Sequence, residues 1–262
     1  MKKGDIISGA LLLACAAVLF MMAPDRLSMA LVAVMGFMMG FGYFRSIMPS
    51  SHYSAGFRHA ADFIQKARRL QPDNMWVTVA HANGLFMNDT LDGLFNDFKD
   101  KIKRRSRESS RSLYDVSDVI NVETLEMKTW QRVTSQIPNM LTALGILGTF
   151  IGLINGISGI HFSSVEVAIN SVQGLLTGIS TAFYTSVCGV VLSIVYNFTA
   201  RIMWNIMLQN MDTFYHDFHM YVSDTADVRD KLLRNANARD ILIHLDQLIS
   251  LQREESFSHE EE

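Results

Sequence analysis

Two apolar stretches of the chain hold the residue types best suited to chemistry. In the first, Gly148, Gly152 and Gly156 recur every four residues, with Gly145 beside them. Small residues at that spacing let helix backbones approach closely in lipid, and this flat face predicts the seal between subunits of an oligomeric ring. Thr142 and Thr149 lie seven apart, nearly on one side of the same helix. The second stretch places Thr181, Thr185, Gly189 and Ser193 at intervals of four, with Ser186 about 100° round from Thr185. A hydroxyl donates and accepts hydrogen bonds, or offers oxygen to a cation, but does not titrate near neutrality. Residues 138–160 and 172–199 contain no Asp, Glu, Lys, Arg or His. Polar groups in hydrocarbon are costly unless they face a partner or water. An ion path along these hydroxyls, those of Thr142, Thr149, Thr181, Thr185 and Ser186, would therefore borrow its titratable group from a second protein. The competing reading is packing alone, with each threonine bonded to its own backbone.

The elements that must position these residues follow from the charge pattern. A span needs roughly 20 apolar residues to cross about 30 Å of hydrocarbon. Four segments qualify, at 6–23, 27–44, 138–160 and 172–199, the first two near the lower limit. Lys and Arg crowd residues 45–137, precede the first span as Lys2 and Lys3, and recur from Arg201; residues 161–171 have none. The excess of cations on the cytoplasmic side then puts both termini and the middle segment inside and residues 24–26 and 161–171 outside. The fold class is thus an all-α integral membrane protein with four transmembrane helices. Its expected parts are a peripheral hairpin (1–45), a helical cytoplasmic insert (46–137), the two polar spans (138–200) and cytoplasmic C-terminal helices with a disordered end (201–262). The charged start resembles a signal peptide, but a second apolar run follows at once, as in a retained hairpin. That hairpin, rich in Met and Gly, lacks groups to line a water path and is assigned to the lipid-facing periphery.

Within the insert, residues 54–70 carry Phe57, Ala60, Ala61, Ile64 and Ala67 at helical spacing, and 73–98 repeat the pattern. Residues 99–111 hold seven basic and two acidic residues. Lys101, Arg104 and Arg105 there are candidates for contact with a cytoplasmic partner, against the plainer reading of a solvated helix face. Residues 121–136 are expected to run on into the third span as one rod, with Pro138 a kink or a first-turn proline. Residues 201–230 read as an aromatic-rich amphipathic helix, and Leu242, Leu245 and Ile249 give too few heptads for a coiled coil.

Other chemistries find little support. Cys15 and Cys188 both lie in apolar spans and imply no disulfide framework. His216 and His219, with Asp212, have a ligand-like spacing but no fourth group converging in sequence. There is no phosphate-binding loop, nucleophile elbow or dinucleotide fingerprint. The chain is read as a non-enzyme with no metal, no cofactor and no nucleic-acid partner.

The run Gly145-Ile-Leu-Gly148-Thr149-Phe-Ile-Gly152 is similar to the Gly-x-x-Gly-Thr-x-x-Gly helix of the MotA/TolQ/ExbB proton-channel family. Residues 180–189 followed by Tyr196-Asn197 resemble that family's small-residue-rich final helix. The layout looks like the flagellar-stator branch, whereas Ala182-Phe-Tyr-Thr-Ser186 looks more like the channel subunit of the Zorya phage-defence system. The resemblance implies a ring of five copies in the bacterial inner membrane. The ring would surround the helices of a single-span partner, whose intramembrane Asp carries the ion and whose outer domain grips peptidoglycan. It places Thr149 at the family's pore threonine and Ser186, or Thr185, at the fourth-span hydroxyl. Two departures stand out: Thr181 lies near a glutamate of the TolQ/ExbB branch, and the fourth span lacks the family's proline. The expected function is the channel-lining subunit of a motor driven by protons or sodium. The other class of reading is a non-conducting membrane scaffold.

Overall fold

The computed structural model describes residues 3–70, 75–105, 115–159 and 165–223, with side chains over 7–70, 75–102, 115–159 and 171–222. The described residues are helical, with no strand among them. The chain divides into two compact units, one of Met1–Ser54 with Val122–Gln209, the other of Ala55–Asn121 with Asn210–Glu262.

In the first unit, α1 (Lys3–Met21) and α2 (Arg26–Gly42) form a hairpin. Asp25 caps α2 by accepting the Ser28 backbone N–H at 2.8 Å. A widened π-turn, Tyr43–Ile47, then joins α2 to α3 (Met48–Leu70). Pro49 has no N–H to return to the Arg45 carbonyl, so a regular α-turn cannot be completed there.

The rod expected over 121–136 is broken. Its residues form α6 (Val122–Lys128) and the single turn α7 (Gln131–Thr134), separated by Trp130 in the left-handed region at φ 53°. Tertiary contacts hold the break. The Arg45 guanidinium lies 4.5 Å from the Trp130 ring centre, and Ser46 Oγ donates to Gln131 Oε1 at 2.5 Å. Pro138 falls in the first turn of α8 (Ile137–Ser158), where its missing N–H costs nothing. The long rod is instead α9 (Val165–Phe218), whose 54 residues run without interruption past Arg201.

Among the described residues, three helical runs are long and apolar enough to cross a membrane: Arg26–Leu70, Gln131–Ser158 and Ser171–Val222. The apolar part of α1, Ile7–Met21, is shorter. The core of this unit joins Leu12 of α1, Val32, Met35 and Met39 of α2, Leu141 of α8, and Cys188, Leu192 and Tyr196 of α9.

The second unit is built on aromatic packing. Phe57, Phe86, Phe95, Phe98, Phe214 and Phe218 are all buried and meet largely edge to face. Residues 73–98 are not one helix. Within them α4 (Met75–Ala80) ends, the chain turns through Gly84 and Met87 at positive φ, and α5 (Asp89–Arg105) begins. The turn carries Leu85 and Phe86 into the core. Asp92 anchors it by accepting the Phe86 and Asn88 N–H groups, and Asn88 Oδ1 accepts those of Thr90 and Leu91. Of the basic candidates, Lys101 is exposed on α5; Arg104 and Arg105 belong to the same helix, and their side chains lie outside the described residues. Residues 106–111, 161–164 and everything from 224, including Leu242, Leu245 and Ile249, also lie outside them.

Candidate functional site: a hydroxyl edge on the α8–α9 pair

The glycines of α8 form a seam, but within one chain. Gly145, Gly148, Gly152 and Gly156 are all buried against the antiparallel α9. A Cβ on Gly145 would sit 3.2 Å from Gly189 Cα, one on Gly152 2.8 Å from the Gly178 carbonyl oxygen, and one on Gly156 3.2 Å from that of Leu175. Gly148 accommodates the side chain of Thr185. The face expected to seal a ring between subunits is therefore already occupied by the chain's own fourth-span helix.

The α9 side of this seam is Gly178, Ala182, Thr185 and Gly189. The sequence reading took Thr181, Thr185, Gly189 and Ser193 as one stripe. At about 100° per residue, steps of four advance the direction by about 40° each, so four such residues fan across roughly 120°. Alternating steps of four and three keep one face, and Gly178 was missed for want of that step. Thr181 consequently turns toward the hairpin, Thr185 lies in the seam and Ser193 turns to the far side.

Thr185 is fully buried, and its hydroxyl is held by the Thr181 and Ala182 carbonyls at 3.0 and 3.1 Å. Thr181 Oγ1, 2% exposed, donates to Asp25 Oδ2 at 2.5 Å and lies 3.1 Å from the Thr177 carbonyl. Both hydroxyls are engaged inside the chain. Asp25 was not among the sequence candidates; only the folded hairpin brings it to Thr181.

Three candidates remain on an open flank. Thr142, Thr149 and Ser186 are each half-buried. Relative to the seam, Thr142 and Thr149 stand about 60–80° to one side of α8, and Ser186, Ser193 and Asn197 about 50–90° to the same rotational side of α9. For antiparallel helices these are the same edge of the pair. The hairpin packs on the opposite edge, where Leu31 approaches Gly148, the Tyr184 phenol donates to the Leu19 carbonyl, and Thr181 meets Asp25. Levels agree as well: Gly145 faces Ser186 and Gly148 faces Thr185, so Thr149 and Ser186 lie within about one helical turn, ~5 Å, along the axis.

Thr149 Oγ1 donates to the Ile146 carbonyl at 2.6 Å and Thr142 Oγ1 to that of Pro138 at 3.1 Å. Their protons are used, while oxygen lone pairs remain on the open edge. The Ser186 hydroxyl makes no hydrogen bond among the described residues. Exposed Ile146, Leu153, Phe183 and Val190 stand further round on either side. This apolar-flanked row can accept a hydrogen bond from a carboxylic acid or contribute oxygens to a cation, and has no group of its own to carry charge.

In the second unit, His219 Nε2 lies 2.6 Å from Asp115 Oδ1, and the Tyr215 phenol donates to the Ile120 carbonyl. Asp217 is buried and accepts from Gln65 Nε2 at 2.9 Å. His219 thus faces Asp115, not the Asp212 paired with it in the sequence reading. Partial burial disfavours the charged form of Asp115, but hydrogen bonds from Ser117 and His219, with the His219 charge and the Val116 N–H, hold its carboxyl below the usual carboxylate range.

Comparison with known proteins finds a family match that takes in α8 and most of α9. The model of the MotA/TolQ/ExbB proton channel family matches residues 87–215. The Zorya protein ZorA of Escherichia coli (strain ATCC 8739) is 43% identical over 60 residues, covering 23% of this chain and 10% of that protein.

Proposed function

We propose that this chain, whose residues 87–215 match the model of the MotA/TolQ/ExbB proton channel family, is the channel-lining subunit of an ion-driven motor in the bacterial inner membrane. The observation that carries this reading is the edge formed by Thr142, Thr149 and Ser186. It is polar, level, free of charged groups, and turned away from the hairpin that covers the other side of the same two helices. In a ring of copies, five by family likeness, these edges line a central bore. A single-span partner with an intramembrane Asp occupies it and carries the ion on that carboxylate. When the carboxyl is protonated, Thr149 or Ser186 accepts its hydrogen bond; when it is charged, the Ser186 hydroxyl donates to it. Each change of state shifts the carboxyl's preference between the hydroxyl row and its apolar flanks, Ile146, Leu153, Phe183 and Val190. Repeated round the ring, that preference drives stepwise movement of the ring relative to its partner.

Both termini and the segment around residues 99–111 face the cytoplasm in this reading, as the Lys/Arg asymmetry supports. The match to ZorA favours a Zorya-like, phage-defence motor over a flagellar one. The partner's outer domain then holds peptidoglycan, and Lys101 with its basic neighbours Arg104 and Arg105 meets the cytoplasmic effector.

Proteoliposomes containing the ring and its single-span partner test the proposal. Thr149→Val keeps shape and removes the oxygen. Losing a hydrogen-bond partner to a buried carboxyl costs about 1–3 kcal/mol, so ion flux should fall by roughly 5- to 150-fold with ring assembly intact. Thr142→Val should do less. Wild-type flux in the Thr149→Val, Ser186→Ala double variant would reduce the edge to packing and leave a membrane scaffold as the better reading.

A further inference from the structure

We infer that Asp25 is a positioning residue for the ion path: its carboxylate, carried on the hairpin turn, holds α9 through Thr181 at the rotation that presents Ser186 on the open edge. The inference rests on the channel reading above and adds a residue that lies on neither pore-lining helix.

The link joins positions 156 residues apart in sequence. Thr181 Oγ1 donates to Asp25 Oδ2 at 2.5 Å from a nearly inaccessible position, while Oδ1 takes the Ser28 N–H at 2.8 Å. One carboxylate therefore starts α2 and grips α9 at once. Partial burial works against its charge, yet the bonds from Ser28 and Thr181 outweigh that and hold the carboxyl below its usual range. Asp25 is then ionised at working pH, and a hydrogen bond to an ionised acceptor is roughly twice as strong as a neutral one. Arg26, its charged neighbour, is exposed.

Rotation is where the link matters. Ser186 is five residues beyond Thr181, about 140° round the helix. Fixing Thr181 toward the hairpin turns Ser186 away from it, onto the edge shared with Thr149. The Tyr184 phenol, bound to the Leu19 carbonyl, is a second tie on the same side of α9. A helix whose seam is Gly178, Ala182, Thr185 and Gly189 has only the Thr185 side chain, seated against Gly148, with which to set its own rotation, so polar ties at its margin add to that hold.

Cys188 provides a native reporter. It is fully buried on the hairpin side of α9, two turns beyond Thr181. In a Cys15→Ala background it is the only thiol, and its alkylation by N-ethylmaleimide reports local opening of α9 from the hairpin. Alkylation and ion flux are measured on the same proteoliposomes of ring and partner. Thr181→Val and Asp25→Asn should each speed alkylation at least about tenfold and lower flux. Thr181→Ser, which restores the hydroxyl, should return both toward wild type. The Asp25→Asn, Thr181→Val double variant should be no worse than the poorer single one. If flux falls while alkylation is unchanged, Thr181 acts on the ion path itself and the positioning role is overturned. If alkylation rises with flux unchanged, or neither moves, it is equally overturned. Failure of the channel reading looks different: Thr149→Val with Ser186→Ala would conduct normally, whatever Cys188 reports.

Discussion

Replacing Gly152 by alanine should separate α8 from α9 measurably. The added Cβ would lie 2.8 Å from the Gly178 carbonyl oxygen and 2.9 Å from the Ala182 nitrogen, where ordinary contact begins at 3.4 Å. Both obstacles are backbone, so no rotamer change relieves them, and the seam must open by about half an ångström. Overpacking of this kind costs about 1–3 kcal/mol. Alanine's better helix propensity returns about 0.5–1 kcal/mol. The net loss of about 1–2 kcal/mol corresponds to a melting point lower by about 2–8 °C for a chain of this size. Thermal unfolding of the purified protein in detergent measures it. Gly40→Ala is the control, because nothing lies within 4 Å of a Cβ there; it should leave the melting point unchanged or raise it. A Gly152→Ala protein that melts at or above the wild-type temperature would refute the claim that backbone contact at this seam holds the two helices together.

Other perturbations probe the second unit. Asp92→Ala removes the acceptor for the Phe86 and Asn88 N–H groups. It should cost about 1–3 kcal/mol and speed amide hydrogen exchange at both positions; unchanged exchange would show that the turn is held by its hydrophobic residues alone. Asp115 tests electrostatics. Its carboxyl titrates lower in the folded protein than in the unfolded chain, so its stabilising effect is full above the unfolded value of about 3.9 and is lost as pH falls through the lower, folded one. Asp115→Asn should therefore flatten the acid limb of a melting-point-against-pH curve below about pH 4, and an acid limb identical to wild type would contradict this.

The sequence alone determined a good deal. Apolar length marked helices that could cross a membrane, three of which are long and apolar enough among the described residues, because hydrocarbon imposes one strong constraint on every residue in it. Glycine spacing in residues 145–156 marked a close-packing face, and the absence of charge in both polar spans meant that any ion carrier must come from elsewhere. Periodicity found the core residues Phe57, Ala60 and Ile64 of α3, all buried. What it could not decide was which surface each face would meet. The glycine face was assigned to a neighbouring subunit, yet α9 of the same chain covers it, since a spacing specifies close approach but not the identity of the helix that approaches. Thr181 and Thr185 read alike in sequence, four residues apart. The fold turns one to Asp25 and buries the other against Gly148, because a 40° difference in direction selects different neighbours on a crowded helix. Trp130 likewise sits in a run that reads as continuous helix; contacts of Arg45 and Ser46 with Trp130 and Gln131 hold the break there. Local pattern fixes helices and faces, whereas long-range contacts, invisible to any window of sequence, decide which hydroxyls remain on the open edge.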